Sequence, residues 1–471
     1  MNALFSEPDE HLTTAFDALR SALAAHGPLP AERRAEALED LARMVIRHGT
    51  DLAEAISRDF GHRSADETRL AELFPVVTAA RHARRHLRAW MRPERRPIGM
   101  MFRPGRGRVH YQALGLVGII SPWNYPVQLT LLPLVGAIAA GNRVMIKPSE
   151  LTPETSSLLA SLLGELFRPD EVAVVQGGPE VARAFSRLKF DHLFFTGSTA
   201  VGREVMKAAA ERLVPVTLEL GGKTPAIVGP DYPLAKAAER IAVGKLFNAG
   251  QTCIAPDFVL VHASQEAAFA DAFAAAALRL YPTFEGNPDY SAIISERHRE
   301  RLLGIVEDAR RLGGRVRSLD AETGPGGRTL APVILTGLPD EAAALRDEIF
   351  GPILPIVPYR SLEDAYAYIN ARPGPLALYL FSDDRQTVAQ TLERTVSGGV
   401  TVNDTLLHCV QEELPFGGVG DSGMGAYHGE AGFRTFSHAK AVFHQSRFNG
   451  SALTRPPYGR RVERLLKWVL R

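Results

Sequence analysis

Cysteine is nearly missing from this chain: two occur in 471 residues, Cys253 and Cys409. Two thiols cannot build a disulfide framework, and no C-x-x-C pair suggests a zinc ribbon or a redox dithiol. A reducing cytoplasm suits such a composition. An excess of charge is missing too. Fifty-four Lys and Arg stand against 53 Asp and Glu, a formal net charge of +1, which makes no general case for nucleic acid or other polyanions as partners. Local basic runs, RHARRHLR (81–88) and RPERR (92–96), carry no stacking aromatics and read as solvated faces or loops. There is no H-E-x-x-H. His82 and His86 share a helical spacing, but three neighbouring arginines oppose a cation, so no metal site is expected.

Long uninterrupted apolar runs are absent as well. Residues 111–142 carry no formal charge, yet Pro122, Pro126 and Pro133 divide them. A spanning helix needs about 20 continuous apolar residues. The stretch therefore reads as a buried strand, a loop and a buried helix, with no transmembrane segment. The N-terminal MNALFSEPDEHL is acidic and has no basic-then-apolar leader pattern.

What is present is alternation. Residues 9–90 show apolar positions at helical spacing, and 91–111 are rich in Arg, Pro and Gly, an extended connector or hairpin. Strand-like runs then alternate with helical ones: LGLVGII, PVQLTLLPLVGAIAAG, RVMIKP, a helix opened by Thr152 and Pro153, VAVV, HLFFTGS and AVGREVMKAAAERL. This rhythm predicts βαβ units, a mostly parallel sheet, and ligands at the carboxyl ends of the strands. After Gly221-Gly222 new elements (PAIVG, DFVLVHA) predict a second α/β domain, as the length demands. The glycine-rich stretch 314–329 reads as a surface loop. GVGDSG (418–423) matches G-x-G-x-x-G but follows no βαβ strand, and a glycine-rich turn is the better reading.

Several residues are placed for chemistry. Cys253, in FNAGQTCIAPD, is a small buried hydrophobe unless a base and an oxyanion site accompany it. Asn124, in SPWNYP at a strand end, offers a neutral amide donor suited to an oxyanion. Glu219 lies in the apolar strand PVTLEL, where a carboxylate is costly without a task; activating water is one such task. Lys147 and Glu150, just past a strand, suit ribose hydroxyls. Gly197 and Ser198 open a helix whose free N–H groups suit a pyrophosphate. Glu348 and Phe350, in the turn EIFGP, suit a second ribose and its ring.

Together and in this order, SPWNYP, IKPSE, FTGSTAVG, LELGGKTP, FNAGQTCIAPD, EIFGP, SGGVTVND and LPFGGVGDSGMGAYHG resemble the aldehyde dehydrogenases along nearly the whole chain. NAGQTCIAPD, TVND and GMGAYHG resemble the class 3 branch; DFGHRS (59–64) and HLRAWMRP (86–93) resemble its bacterial coniferyl aldehyde members. The resemblance implies an α/β fold with a Rossmann-type NAD(P) domain (1–90 and 112–220), a catalytic domain (221–410), bridging strands (91–111 and 435–445) and a C-terminal tail (446–471). It implies that Cys253 attacks the aldehyde, that Asn124 and the Cys253 N–H hold the oxyanion, that hydride passes to the nicotinamide, and that Glu219 activates water to release the acid from a thioester. Lys147 and Glu150 would hold the adenine ribose, Gly197 to Gly202 the pyrophosphate side, and Glu348 the nicotinamide ribose, with Trp123 lining the cofactor site. A homodimer is implied, with 435–445 adding a strand to the partner's sheet.

Three functions compete at this point. One is an NAD- or NADP-dependent enzyme making a free acid, from an aromatic aldehyde such as coniferyl aldehyde or from a long-chain one. The second passes the acyl group to coenzyme A, and the third is a non-catalytic scaffold. Tyr125, His408 and Phe416 are expected along the substrate tunnel, with Cys409 packed nearby. In the tail, Val462, Leu465, Leu466, Val469 and Leu470 would form an apolar face beside basic residues. It is too short to span a membrane, and would dock on the protein itself or touch a membrane surface.

Overall fold

The structure is a computed structural model that describes residues 7–320, 327–450 and 454–470. Helical spacing in the first ninety residues becomes the helices Glu7–His26, Ala31–Arg47, Gly49–Phe60 and Phe74–Trp90. Leu38, Leu41, Ala42 and Val45 recur on one face of the second and are buried. A short helix, Ala65–Thr68, runs into a five-residue π turn, Arg69–Leu73. Such wide turns re-aim side chains and recur at functional sites; this one buries Glu72.

Strands β1 (Glu94–Arg96) and β2 (Arg106–Ala113) make the expected hairpin. Next come β3 (Leu116–Ile120), β4 (Arg143–Lys147), β5 (Val172–Val174), β6 (His192–Gly197) and β7 (Val216–Leu220). Helices Gln128–Ala140, Pro153–Leu166, Pro179–Ser186 and Thr199–Ala210 separate them. Beyond Gly222 lie β8 (Pro225–Val228), β9 (Phe258–His262), β10 (Arg315–Ser318), β11 (Val333–Thr336), β12 (Ile353–Tyr359), β13 (Ala377–Phe381) and β14 (Gly399–Val402). The last strands are β15 (Gly423–Met424) and β16 (Ser437–His444).

Three sheets result. The first has the order β15-β7-β6-β3-β4-β5, parallel except for β15. Every residue of β3 and β4 is buried, as expected of parallel strands covered on both faces. The second has the order β10-β11-β12-β9-β8-β13-β14, and the third β1-β2-β16. In the first sheet Asn124, Lys147, Gly197 and Glu219 lie at or just past the strands' carboxyl ends, as expected, whereas in the second Cys253 precedes β9 and Glu348 and Phe350 precede β12, so these stand at amino ends.

Three local expectations change. Part of 314–329 is the edge strand β10, antiparallel to β11; residues 321–326 lie outside the described chain. Thr152 precedes the helix Pro153–Leu166, but its side chain makes no capping bond. The carboxylate of Asp59 does so from another helix, accepting from the Glu154 and Thr155 N–H groups at 3.0 and 2.9 Å. The tail helix Arg460–Val469, expected to dock on the chain or touch a membrane surface, buries no residue and leaves Val462 and Leu465 half-buried, with Leu466, Val469 and Leu470 exposed.

Candidate active site

The helix Leu234–Leu246 leads into the cysteine loop through an unusual bend. Asn248, Ala249 and Gly250 take φ values of 51, 50 and 75°. Two of these left-handed residues carry a Cβ, at a cost of about 1–2 kcal/mol each. Strain of this kind persists only where the surroundings over-determine it, and here they do. The Asn248 N–H donates to Glu67 Oε1 at 3.0 Å, and its Nδ2 donates to the carbonyls of Asn124 and Gln251 at 3.1 and 3.2 Å. Gln251 Nε2 donates to the Asn248 and Ala292 carbonyls, both at 3.0 Å, and its Oε1 accepts from Ile294 N–H at 2.9 Å. The loop thereby presents Cys253 half-buried. Burial pushes its thiol up, and Glu348, Cys409 and Glu219 push it the same way.

The SPWNYP loop lies against the cysteine loop. Asn124 is buried, and its Nδ2 donates to the Gln251 carbonyl at 3.2 Å. Tyr125 Oη lies 2.5 Å from Thr252 Oγ1, one residue before the thiol. Arg63 anchors the loop from below: its Nη1 donates to the Asn124 carbonyl at 3.0 Å and to Glu72 Oε1 at 2.8 Å. Glu72 Oε2 in turn accepts from the Val127 and Gln128 N–H groups. The Arg63 guanidinium also sits 4.8 Å from the centre of the Tyr125 ring.

Glu219 is buried on β7, and neither carboxyl oxygen has a partner. Burial raises it well above the ordinary carboxyl range. Its strand neighbour is Gly423 of β15. A Cβ on Gly423 would lie 1.9 Å from the Leu218 carbonyl oxygen, at a φ of 135°. The GVGDSG tract is thus a turn, as expected, and glycine there lets it close on Glu219.

The cofactor-side residues divide. Trp123 and Phe350 meet edge to face at 5.3 Å, with Phe350 held at φ 50°. Glu348 is pushed up to about 8, first by burial and then by Asp257, against the Gly222 N–H, Lys223 and Arg301; its Oε1 has no partner. A Cβ on Gly221 would fall 2.0 Å from Glu348 Oε2. Lys147 and Glu150 were expected to face ribose hydroxyls; in the structure they hold each other, Nζ donating to Oε2 at 2.7 Å. Burial raises Glu150, but Lys147 outweighs it and leaves the carboxyl below its ordinary value. Ser198 caps the helix Thr199–Ala210 at the end of β6. A Cβ on Gly202 would meet the Leu220 side chain at 2.5 Å, so glycine there lets the helix pack closely on β7. An unpartnered carboxyl oxygen, a glycine cradle and a helix N-terminus at a strand end fit a dinucleotide.

His408, expected along the substrate tunnel, is buried, with Nδ1 2.8 Å from Thr401 Oγ1 and Nε2 unpartnered. Burial lowers it to about 4. It stacks on Phe416, which stacks on His428 at 5.3 Å. Cys409 is half-buried, its thiol pushed up to about 12 by burial. Sequence reasoning missed Arg63, Glu67 and Glu72, and the roles of Asn248 and Gln251. FNAGQTC and DFGHRS contain three of the five, but nothing in their spacing reveals contacts across 60 to 180 positions. His428 was also missed; its φ of 82° is invisible in sequence.

A sequence profile described as "Aldehyde dehydrogenase family" matches residues 6–442. The chain is 51% identical over 440 residues to a "Probable coniferyl aldehyde dehydrogenase" of Pseudomonas aeruginosa, covering 93% of this chain and 92% of that one. It is 46% identical to the "Coniferyl aldehyde dehydrogenase" of a Pseudomonas species, covering 98% and 96%. Among solved structures, the substrate-bound state of Staphylococcus aureus AldH superposes with a TM-score of 0.92 at 36% identity, covering 97% and 99%. The fold, the paired loops around a single thiol and these likenesses agree: the chain belongs to the aldehyde dehydrogenase family and oxidises aldehydes with NAD or NADP.

Proposed function

We propose that the physiological reaction is oxidation of an aromatic aldehyde of the coniferyl type to its free acid. The Cys253 sulfur bonds to the aldehyde carbon as its proton passes to the carbonyl oxygen, whose developing negative charge is held by Asn124 Nδ2 and the Cys253 N–H. NAD or NADP, when bound, supplies the hydride acceptor. The thiohemiacetal becomes a thioester on Cys253 as hydride leaves and its hydroxyl proton passes to solvent; Glu219, once ionised, is a strong base because burial disfavours its charge, and it takes a proton from water as that water adds to the thioester and the thiolate leaves with the acid released. The carrying observation is Glu219 itself, a buried carboxyl with both oxygens unpartnered and within electrostatic reach of the thiol. Such a group is a base held in reserve for water, which favours hydrolysis over transfer to coenzyme A. The aromatic wall of His408, Phe416 and His428 favours a planar substrate, as do the names of the bacterial relatives.

The same reading assigns Trp123, Lys147, Glu150, Gly197, Ser198, Gly202, Glu348 and Phe350 to the cofactor. The carboxylate of Glu150 favours NAD, because a 2′-phosphate would meet like charge. It assigns 1–90 and 112–220 to the cofactor domain and 221–410 to the catalytic domain. It sets 91–111 and 435–445 between subunits of a homodimer. Within the chain β16 pairs with β2, so only its outer edge is left to extend a second copy's sheet. Light scattering at micromolar concentration should give a dimer; a stable active monomer would end that assignment. We place the enzyme in the cytoplasm on its two thiols. The tail helix, with Arg460, Arg461, Arg464 and Lys467 beside Leu465 and Leu466, suits contact with an anionic membrane surface. Sedimentation of the full chain with anionic vesicles tests that contact.

The deciding assay compares coniferyl aldehyde with medium- and long-chain aliphatic aldehydes, with NAD or NADP, with and without coenzyme A. Coniferyl aldehyde should give the highest kcat/KM with NAD, and the product should be the free acid. A tenfold preference for a long-chain aldehyde, or an acyl-coenzyme A product, would overturn the proposal.

A further inference from the structure

The helix Phe74–Trp90 carries His82 and His86 one turn apart, and the structure adds a partner absent from their neighbourhood in sequence. Glu413, from the loop after the turn Leu407–Val410, reaches them. One ligand atom from each of the three lies within 4.8 Å of the others. His82 Nε2 is 3.2 Å from Glu413 Oε1, yet it has no hydrogen-bond partner. The two atoms are close without being bonded through a proton. In a tetrahedral zinc site, N and O ligands at about 2.0–2.1 Å from the metal stand about 3.3 Å apart. His86 Nδ1 lies 3.0 Å from the His82 carbonyl and donates to it. That bond sets the tautomer and leaves Nε2 free as a ligand, the arrangement that orients metal-bound imidazoles.

We propose that His82, His86 and Glu413 form a zinc-binding site outside the catalytic centre. Two imidazoles and a carboxylate are a zinc donor set, with water in the fourth position. His82 is largely buried, with only its edge reached by solvent. The rings are backed by Trp90, stacked on His86 at 5.8 Å, which limits their rotation. Of the arginines that argued against a cation, Arg84 is turned to Glu39 at 3.2 Å. The exposed Glu413 side chain supplies the remaining movement needed to close the site. Occupancy would pin the 411–414 loop, which joins the His408 and Cys409 turn to Phe416, onto the helix Phe74–Trp90.

The test uses the full chain with Cys253→Ala and Cys409→Ala, so that no thiol competes for metal. Cobalt(II) titrated into chelator-treated protein should bind at one equivalent with a tetrahedral visible spectrum, and zinc should displace it. His86→Gln and Glu413→Gln, both at solvent-reached positions, should each weaken cobalt binding at least tenfold while leaving the thermal midpoint without metal unchanged. Zinc should slow amide exchange at 411–414 in the parent and in neither variant. Absence of saturable binding below millimolar cobalt, or binding unchanged in both variants, would overturn the site.

Discussion

Arg63 and Glu72 form a salt bridge at 2.8 Å with neither side chain exposed, and the same guanidinium nitrogen holds the Asn124 carbonyl. The SPWNYP loop is therefore fixed through a charge pair from the N-terminal helices. Removing one partner leaves the other charge buried and alone, at a cost of about 3–5 kcal/mol. Arg63→Met should lower the thermal midpoint by several degrees. It should also reduce kcat more than KM, because Asn124 loses its anchor. Wild-type kcat in a folded Arg63→Met protein would show that the loop holds itself.

Cys253→Ala should abolish NADH formation and leave cofactor affinity within about twofold, since the covalent bond is lost while Glu348 and the strand-end residues remain. Fluorescence titration with NADH measures the second half. Near-normal turnover would refute the nucleophile.

Glu219→Gln should separate acylation from hydrolysis: a burst of NADH of about one equivalent, then slow turnover. Loss of the burst would move Glu219 to an earlier step. Stability supplies an independent check. A carboxyl raised in the folded state holds its proton while the unfolded chain has released it, so it destabilises the fold increasingly as pH rises above about 4.5. Relative to wild type, Glu219→Gln should gain thermal stability as pH rises above about 5. An opposite trend would mean that Glu219 is ionised and paired in solution.

Gly221→Ala should disturb the cofactor and not the thiol. The new methyl would meet the Glu348 carboxyl, which must swing away from the Gly222 N–H it accepts from. KM for NAD should rise at least about tenfold if a charge-assisted ribose contact is lost. Alkylation of Cys253 by iodoacetamide should still go to completion, its rate altered only through the displaced Glu348 charge. An unchanged KM would remove Glu348 from the cofactor site.

Acid should unfold this enzyme through buried histidines. Burial lowers His192 and His408 to about 4, and burial with His408 lowers His428 to about 3. Each is neutral when folded and charged when unfolded below about pH 6.5, so stability is full above that pH and falls as pH drops toward 4. His192→Gln should flatten the slope of thermal midpoint against pH in that window. A slope equal to wild type would mean that carboxylates, not imidazoles, govern acid unfolding.

The sequence by itself determined the order of strands and helices, because buried parallel strands need unbroken apolar runs and their helices need a one-sided stripe. LGLVGII and RVMIK read as strands for that reason. It also determined which residues stand at strand ends: Asn124, Lys147, Gly197 and Glu219 are each marked by a polar group interrupting or ending an apolar run. The uses of these side chains were settled in three dimensions. Lys147 and Glu150 pair with each other because burial leaves the ammonium no water. Gly202 packs on Leu220 because helix and strand approach too closely for a Cβ. The left-handed bend at 248–250 depends on Glu67, some 180 residues earlier. Glu413 comes to His82 from the far side of the chain. Periodicity reports which face of an element is buried; it carries no information about what the fold brings against that face, and hydrogen bonds across such distances exist only once the packing has formed.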